Sequence, residues 1–68
     1  MHFREKHGYQ LQRGDVVEIE GTRCTILKID TWERPRDRAL MFTLITTQGD
    51  FVVKKYTVVR TVHLTRLH

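Results

Sequence analysis

The chain has 68 residues, of which 40% are hydrophobic and 29% charged, and it carries a formal net charge of +4 with a pI of about 9.7. A chain this short forms a single domain and buries only about 60% of the surface that its unfolded form exposes, so a buried active site of several residues would compete with a thin core. Size therefore favours a non-catalytic binding domain, and the basic charge is compatible with a nucleic-acid ligand.

The composition also indicates where the protein acts. Cys24 is the single cysteine, so an internal disulfide is impossible. Residues 1–10 lack the apolar segment of a signal peptide, and no apolar run approaches the roughly 20 residues that span a bilayer. We therefore expect a cytoplasmic protein without membrane association.

The first predicted elements are an arm and a strand. Residues 1–10 mix charged and aromatic side chains without a period and are expected to form an N-terminal arm, with a short strand as the alternative. A turn follows at residues 13–15, and Val17 and Ile19 then alternate with two glutamates in the period-2 pattern of a half-buried strand. Gly21 is expected to have a positive φ in the next turn.

A second strand and a long loop come next. Residues 23–31 predict a strand whose apolar positions change parity between Ile26 and Leu27, which indicates a bulge or a sharp bend. Residues 31–38 read Thr-Trp-Glu-Arg-Pro-Arg-Asp-Arg and predict a loop, because Pro35 cannot occupy an interior strand.

The C-terminal half predicts three further elements. Residues 39–47 form a third strand with apolar side chains on both faces, as expected for a central strand. Residues 48–50 form a hairpin turn that leads into a fourth strand at residues 51–56. A single 3₁₀ turn is expected at residues 57–60, before a short closing strand at residues 61–64.

The expected hydrophobic core consists of apolar side chains from all of these strands, and Cys24 is expected to be a small core residue. The core positions are Val17, Ile19, Ile26, Leu27, Ile29, Leu40, Phe42, Leu44, Phe51, Val53, Val58 and Val62.

Two segments carry a resemblance to a known group of domains. Residues 14–21, Gly-Asp-Val-Val-Glu-Ile-Glu-Gly, and residues 46–53, Thr-Thr-Gln-Gly-Asp-Phe-Val-Val, together with Ile26 and Ile29, resemble the KOW and translation-protein SH3-like group. The resemblance covers roughly residues 12–64. It implies binding to RNA or to ribosomal and transcription components, although the same barrel also carries protein-binding functions.

Five short strands, a mid-chain loop and a turn before the last strand match an all-β fold, a five-stranded antiparallel SH3-like β-barrel. The expected organisation is an N-terminal arm at residues 1–10 and the SH3-like barrel at residues 11–68.

The mid-chain loop is the first candidate binding site. A tryptophan offers a flat surface for an unstacked base, and arginines contact phosphates and stack on bases. The alternative is a solvated loop with a structural tryptophan, because three arginines minus two carboxylates leave a net charge of only +1. The candidate residues are Trp32, Arg34, Arg36 and Arg38.

A second basic set follows the fourth strand and consists of Lys54, Lys55, Tyr56 and Arg60. In SH3-like barrels this region lies near the mid-chain loop, so the resemblance implies one surface that joins Lys54, Tyr56 and Arg60 to the loop. The alternative is that the lysines protect a sheet edge against pairing with another chain.

Catalytic and metal chemistry have little support. The chain has no serine and no phosphate-binding glycine loop, so a Ser-His-Asp triad is impossible. Four histidines lie near the ends, but their spacing matches no familiar zinc pattern. We expect no enzyme activity, no metal and no cofactor. The histidines are His2, His7, His63 and His68.

The sequence therefore predicts a non-catalytic barrel that binds nucleic acid, either RNA or DNA. The alternative is a protein-interaction module, an accessory or inhibitory protein that docks on a larger enzyme or nucleic-acid machine. Self-association into a homo-oligomer is a further possibility, with Met41 and Ile45 marking an apolar patch on the outer side of the third strand.

Overall fold

A computed structural model describes residues 2–63 of the chain as one antiparallel sheet with a short 3₁₀ turn. The strand order across the sheet is β1-β6-β2-β3-β4-β5. The prediction of an all-β antiparallel fold is confirmed. Within residues 2–63, no helix has the length and apolarity needed to cross a membrane. The elements are β1 (His2–His7), the 3₁₀ turn (Gly8–Gln10), β2 (Val16–Ile19), β3 (Thr22–Glu33), β4 (Leu40–Thr46), β5 (Gly49–Lys54) and β6 (Val58–His63).

The sheet has six strands and is not closed, so it differs from the five-stranded barrel that we predicted. The additional strand is β1, which comes from the segment expected to be an arm. It pairs with β6 along its whole length, from His2 opposite His63 to His7 opposite Val58. Its sequence, His-Phe-Arg-Glu-Lys-His, is polar on both faces, so it lacks the alternation by which half-buried strands are recognised.

Strand β6 also differs from its prediction. The segment expected to form a 3₁₀ turn at residues 57–60 is largely extended, and β6 begins at Val58. Val59 and Thr61 are buried, whereas Val58 points to the exposed side. The two adjacent valines are compatible with a turn or a strand, and pairing with β1 and β2 selects the strand.

The long strand β3 connects the two halves of the sheet. Its first residues pair with β2 from Thr22 to Thr25, and the rest pairs with β4 from Ile26 to Glu33. The register shifts between Ile26 and Lys28, so the irregularity expected at this point is confirmed. Because β3 continues to Glu33, it includes Trp32 and Glu33, which the sequence placed in the loop alone.

The hairpin between β2 and β3 requires an unusual backbone. Its two turn residues, Glu20 and Gly21, have φ values of 51° and 77°. Positive φ at both central positions is typical of the type I′ turns that suit the twist of a two-residue hairpin. The expected positive φ at Gly21 is therefore confirmed, and Glu20 adopts a conformation that non-glycine residues rarely take.

The core is formed by side chains of β2, β3, β4, β5 and β6 together with Leu11. Most predicted core positions are buried or half-buried, and Cys24 is buried among them. Three predictions are wrong: Leu27 is exposed at the register shift, and Leu40 and Val58, at the starts of β4 and β6, are exposed as well. The buried apolar residues are Leu11, Val17, Cys24, Ile26, Met41, Phe42, Leu44, Val53, Val59 and Val62, with Ile19, Ile29 and Phe51 packed against the core.

The 3₁₀ turn brings the start of the chain against the far end of the sheet. The Tyr9 N–H donates a hydrogen bond to the carbonyl oxygen of Lys55, at 3.1 Å. Gly8 is buried here, and a Cβ at this position would overlap the carbonyl oxygen of Lys54 and lie 3.2 Å from Val53 Cγ2. Only glycine allows this close approach, which places Tyr9 beside the turn between β5 and β6.

Candidate nucleic-acid interface

Three aromatic rings, those of His7, Tyr9 and Tyr56, form a cluster where β1, the 3₁₀ turn and the β5–β6 turn meet. Each pair of ring centroids is separated by 5.8 Å. His7 and Tyr9 stack with an interplanar angle of 12°, and Tyr56 stands nearly perpendicular to both. Tyr9 is 47% exposed and Tyr56 is 66% exposed, so this aromatic cluster presents ring surface to solvent.

A lysine lies against the aromatic cluster. The Lys55 ammonium is 5.3 Å from the Tyr56 ring centroid and 5.9 Å from the Tyr9 centroid, within the range of a cation–π contact. The turn that carries these residues is fixed by Thr57, whose Oγ1 accepts the Lys54 N–H at 3.1 Å and whose N–H donates to the Lys54 carbonyl at 3.2 Å. These bonds fix the backbone of the turn in which Lys55 and Tyr56 are adjacent.

An open groove of about 500 Å³ adjoins the aromatic cluster. One wall comes from the β5–β6 turn and the other from the end of the mid-chain loop, and most of the lining is apolar. Two lysines at its rim make it a mainly apolar groove with a positively charged border. The lining residues are Ala39, Leu40, Lys54, Lys55, Tyr56 and Thr57.

The expected proximity of the second basic set to the mid-chain loop is therefore seen for Lys54, Lys55 and Tyr56. The loop closes through two backbone hydrogen bonds, from Arg34 N–H to the Ala39 carbonyl at 2.9 Å and from Arg38 N–H to the Arg34 carbonyl at 2.7 Å. This closure places Ala39 and Leu40 on the groove.

The Arg34 side chain holds the loop together. It donates two hydrogen bonds to the Asp37 carboxylate, from Nε at 2.9 Å and from Nη2 at 2.6 Å. Asp37 also accepts a hydrogen bond from the Ala39 N–H at 3.2 Å. The bonds from Arg34 and from Ala39 together lower the pKa of Asp37 to about 2. The bonds between Asp37 and Arg34 raise the pKa of Arg34. Arg34 is thus committed to a bidentate pair within the loop.

The other two loop arginines differ from each other. Arg38 donates from Nε to Glu33 Oε1 at 3.1 Å, so its charge is locally balanced. Arg36 is exposed, and within residues 2–63 its side chain has neither a hydrogen bond nor an ion pair. Of the three loop arginines predicted to contact phosphate, Arg36 is therefore the one without a partner among residues 2–63.

Trp32 lies in β3 and not in the loop where the sequence placed it. Its side chain is 39% exposed, and its indole N–H donates to Thr43 Oγ1 at 2.9 Å, so the ring lies against the sheet. In the register, Met41 stands opposite Trp32 and Lys54 stands opposite Met41. Trp32 and Lys54 therefore share one face of the sheet, with one strand between them.

Arg60 is not part of the groove. It stands opposite Glu5 on one side and Glu18 on the other, and Glu18 in turn stands opposite Arg23. These four residues form a row across β1, β6, β2 and β3 in which negative and positive charges alternate. The two arginines of the row also lie beside the Phe3 ring, with the guanidinium carbon 5.2 Å from the ring centroid for Arg60 and 5.8 Å for Arg23. Arg60 is therefore engaged in a structural charge row, away from the other predicted site residues.

His7 and Tyr9 are site residues that the sequence did not predict. Both belong to the segment expected to be an arm, and they meet Tyr56 only because the 3₁₀ turn reaches β5. The sequence signal that could have revealed them is the placing of an aromatic residue on each side of Gly8. Aromatic side chains need a surface to pack on, so such a pair indicates a contact with another part of the fold.

Comparisons with known proteins assign nothing to this chain: no family model matches it, and no match is found among curated proteins or solved structures. Among the residues that the structure describes, no three His, Cys, Asp or Glu side chains lie close enough together to hold a metal ion.

Proposed function

We propose that this protein is a small, non-catalytic cytoplasmic domain that binds single-stranded nucleic acid in the groove between Leu40 and Tyr56. The observation that supports it is the exposed aromatic cluster with Lys55 beside it, next to an apolar groove with a basic border. The SH3-like resemblance to RNA-binding domains is in line with this function.

Stacking on Tyr56 supplies the first part of the interaction. Its ring borders the groove and is 66% exposed, and base stacking on an aromatic side chain contributes about 1–3 kcal/mol per base. Bases in a duplex are already stacked on each other, so only a single strand can offer an open base face. The groove therefore favours single strands over duplexes.

Phosphate contacts supply the second part. Lys54 and Lys55 border the groove, and Arg36 is the uncommitted cation of the adjacent loop. Three phosphate contacts on a single strand give a slope of about −2 in a plot of log K against log salt concentration. Because these contacts reach the backbone and not base edges, we expect little sequence specificity.

The test is fluorescence anisotropy with labelled oligo-dT and oligo-rU, each as a single strand and as a duplex with its complement. We expect Tyr56→Leu to weaken single-strand binding by about 5–150-fold, the loss of one stacked base, whereas Tyr56→Phe retains most of the affinity. Lys55→Ala should weaken binding and reduce the salt slope by about 0.7. Arg13→Ala removes an equal charge from an exposed turn and is the matched control.

Two results contradict this proposal. One is an affinity for duplexes equal to that for single strands, which reduces the interaction to general electrostatic attraction. The other is equal weakening by Tyr56→Leu and Tyr56→Phe, which removes stacking on the ring from the explanation. Intrinsic Trp32 fluorescence in the same titrations reports whether the ligand also reaches the face shared with Lys54.

A second candidate function is protein interaction, favoured by the apolar lining of the groove. A groove of about 500 Å³ with apolar walls accommodates a side chain from a larger protein on which this domain docks. Such binding buries apolar surface and depends little on salt. Absence of oligonucleotide binding at low salt selects this second function over the first.

A further inference from the structure

We infer that the protein self-associates through the outer face of β3, β4 and β5, the side of these strands opposite the core residues Phe42 and Leu44. Side chains on this face form three rows across the strands. The first row is Lys28, Ile45 and Asp50; the second is Asp30, Thr43 and Val52; the third is Trp32, Met41 and Lys54.

Apolar side chains lie exposed along this face. Val52 is 53% exposed and Trp32 is 39% exposed. Met41 lies between Trp32 and Lys54 and is buried, although it does not belong to the core cluster on the other side of the sheet. The hydrogen bond from Trp32 to Thr43 fixes the orientation of the indole on this face.

The charges on the face are self-complementary in one arrangement. A twofold axis parallel to the strands puts β4 of one copy over β4 of the other and β3 over β5. Lys28 then faces Asp50 of the other copy, Trp32 faces Lys54, and Asp30 faces Val52. Each copy thus gains ion pairs and a cation–π contact without opposing like charges.

The other simple arrangement is unfavourable. A twofold axis perpendicular to the strands would exchange the first and third rows and place Asp30 opposite Asp30 of the second copy, where the like charges repel. Both arrangements keep the strand axes of the two stacked sheets within the usual angle of about 30°, so only the charges distinguish them. The charge pattern therefore selects one register for the second copy.

The size of the face sets the strength of the dimer. It spans two strand spacings of about 4.8 Å and four residue rises of about 3.4 Å, so with its bordering side chains it covers roughly 300 Å² per copy. Stable interfaces bury about 800 Å² per partner. We therefore expect a weak dimer, populated at high micromolar to millimolar concentration.

Sedimentation equilibrium of the full chain from about 20 μM to about 2 mM tests this. Wild type should approach the dimer mass at the upper end. Val52→Asp should remain monomeric because its new carboxylate faces Asp30 of the second copy, whereas Val52→Lys should still dimerise. Val58→Asp places the same charge on an exposed valine outside this face and is the control, and circular dichroism verifies that each variant is folded.

The register is tested by a charge exchange. Asp50→Lys places two positive charges opposite each other and should abolish the dimer, and the added substitution Lys28→Asp should restore it. A monomeric wild type at the highest concentration, equal effects of Val52→Asp and Val58→Asp, or no recovery in the double variant overturns the inference. None of these readouts uses a nucleic acid, so they are independent of the proposed function.

Discussion

Replacing Gly8 with alanine is the sharpest test of how the chain closes on itself. The new Cβ would lie far closer to the Lys54 carbonyl oxygen than the 3.0 Å that real Cβ atoms keep, and the obstacle is backbone. Overpacking of this kind costs about 1–3 kcal/mol. Moving the 3₁₀ turn away also breaks the Tyr9–Lys55 hydrogen bond, worth about 0.5–1.5 kcal/mol. The expected loss in the free energy of unfolding is about 2–4 kcal/mol.

That loss is large for this chain. A 68-residue domain is stable by about 3–10 kcal/mol, so Gly8→Ala should lower Tm by roughly 10–30 °C. Urea denaturation followed by far-ultraviolet circular dichroism gives the difference directly. Gln12→Ala introduces the same side chain at a nearby exposed position and should leave stability within about 0.5 kcal/mol of wild type. A Gly8→Ala protein as stable as Gln12→Ala would refute the close contact between the 3₁₀ turn and β5.

Three further predictions concern the core, a turn and the loop. Phe42→Ala should lower the free energy of unfolding in urea by about 3–5 kcal/mol, whereas Val52→Ala, on the exposed face, should lower it little. Similar losses for the two variants would contradict the assignment of Phe42 to the core. Glu20→Asn should raise stability by up to about 1 kcal/mol, because asparagine tolerates the positive φ of this turn better than glutamate does. A thermal melt measures the change, and a lower Tm would contradict the turn geometry. Asp37 has its pKa lowered from 3.8 to about 2, so the stabilisation from Arg34 is fully present above about pH 4 and is lost as the pH falls through about 2. Stability measured between pH 5 and pH 2 should therefore fall less steeply in Asp37→Asn, and an unchanged profile would contradict this role of the ion pair.

Local patterns predict part of the fold well. The alternation around Val17 and the change of parity at Ile26 depend only on neighbouring residues, so the sequence reveals both β2 and the irregularity in β3. Strand β1 is different, because its side chains are polar and its extended form depends on pairing with β6, more than 50 residues away along the chain. No local pattern specifies that pairing, and the open six-stranded sheet follows from it.

In the candidate site, too, the sequence predicts what neighbouring residues determine and misses what distant pairing determines. Lys54, Lys55 and Tyr56 are adjacent in the sequence and lie together at the groove. The availability of each arginine could not be predicted, because it depends on which carboxylate the fold places beside it. Arg60 meets Glu18 only through the pairing of β6 with β2.

The continuity of β3 has a consequence for how the protein opens. Strand β3 lies between two groups of strands, β1, β6 and β2 on one side and β4 and β5 on the other. Among the described strands, it alone pairs with both groups, with β2 over its first four residues and with β4 over the rest. The β4–β5 hairpin also shares the core with β2 and β6, and it contacts the 3₁₀ turn through the hydrogen bond from Tyr9 to Lys55 and the close approach of Gly8 to Lys54. Amide protons of β4 and β5 should therefore exchange with solvent as one cooperative unit, separately from those of β2 and β6. A ligand held between Leu40 and Tyr56 should slow that exchange throughout the hairpin.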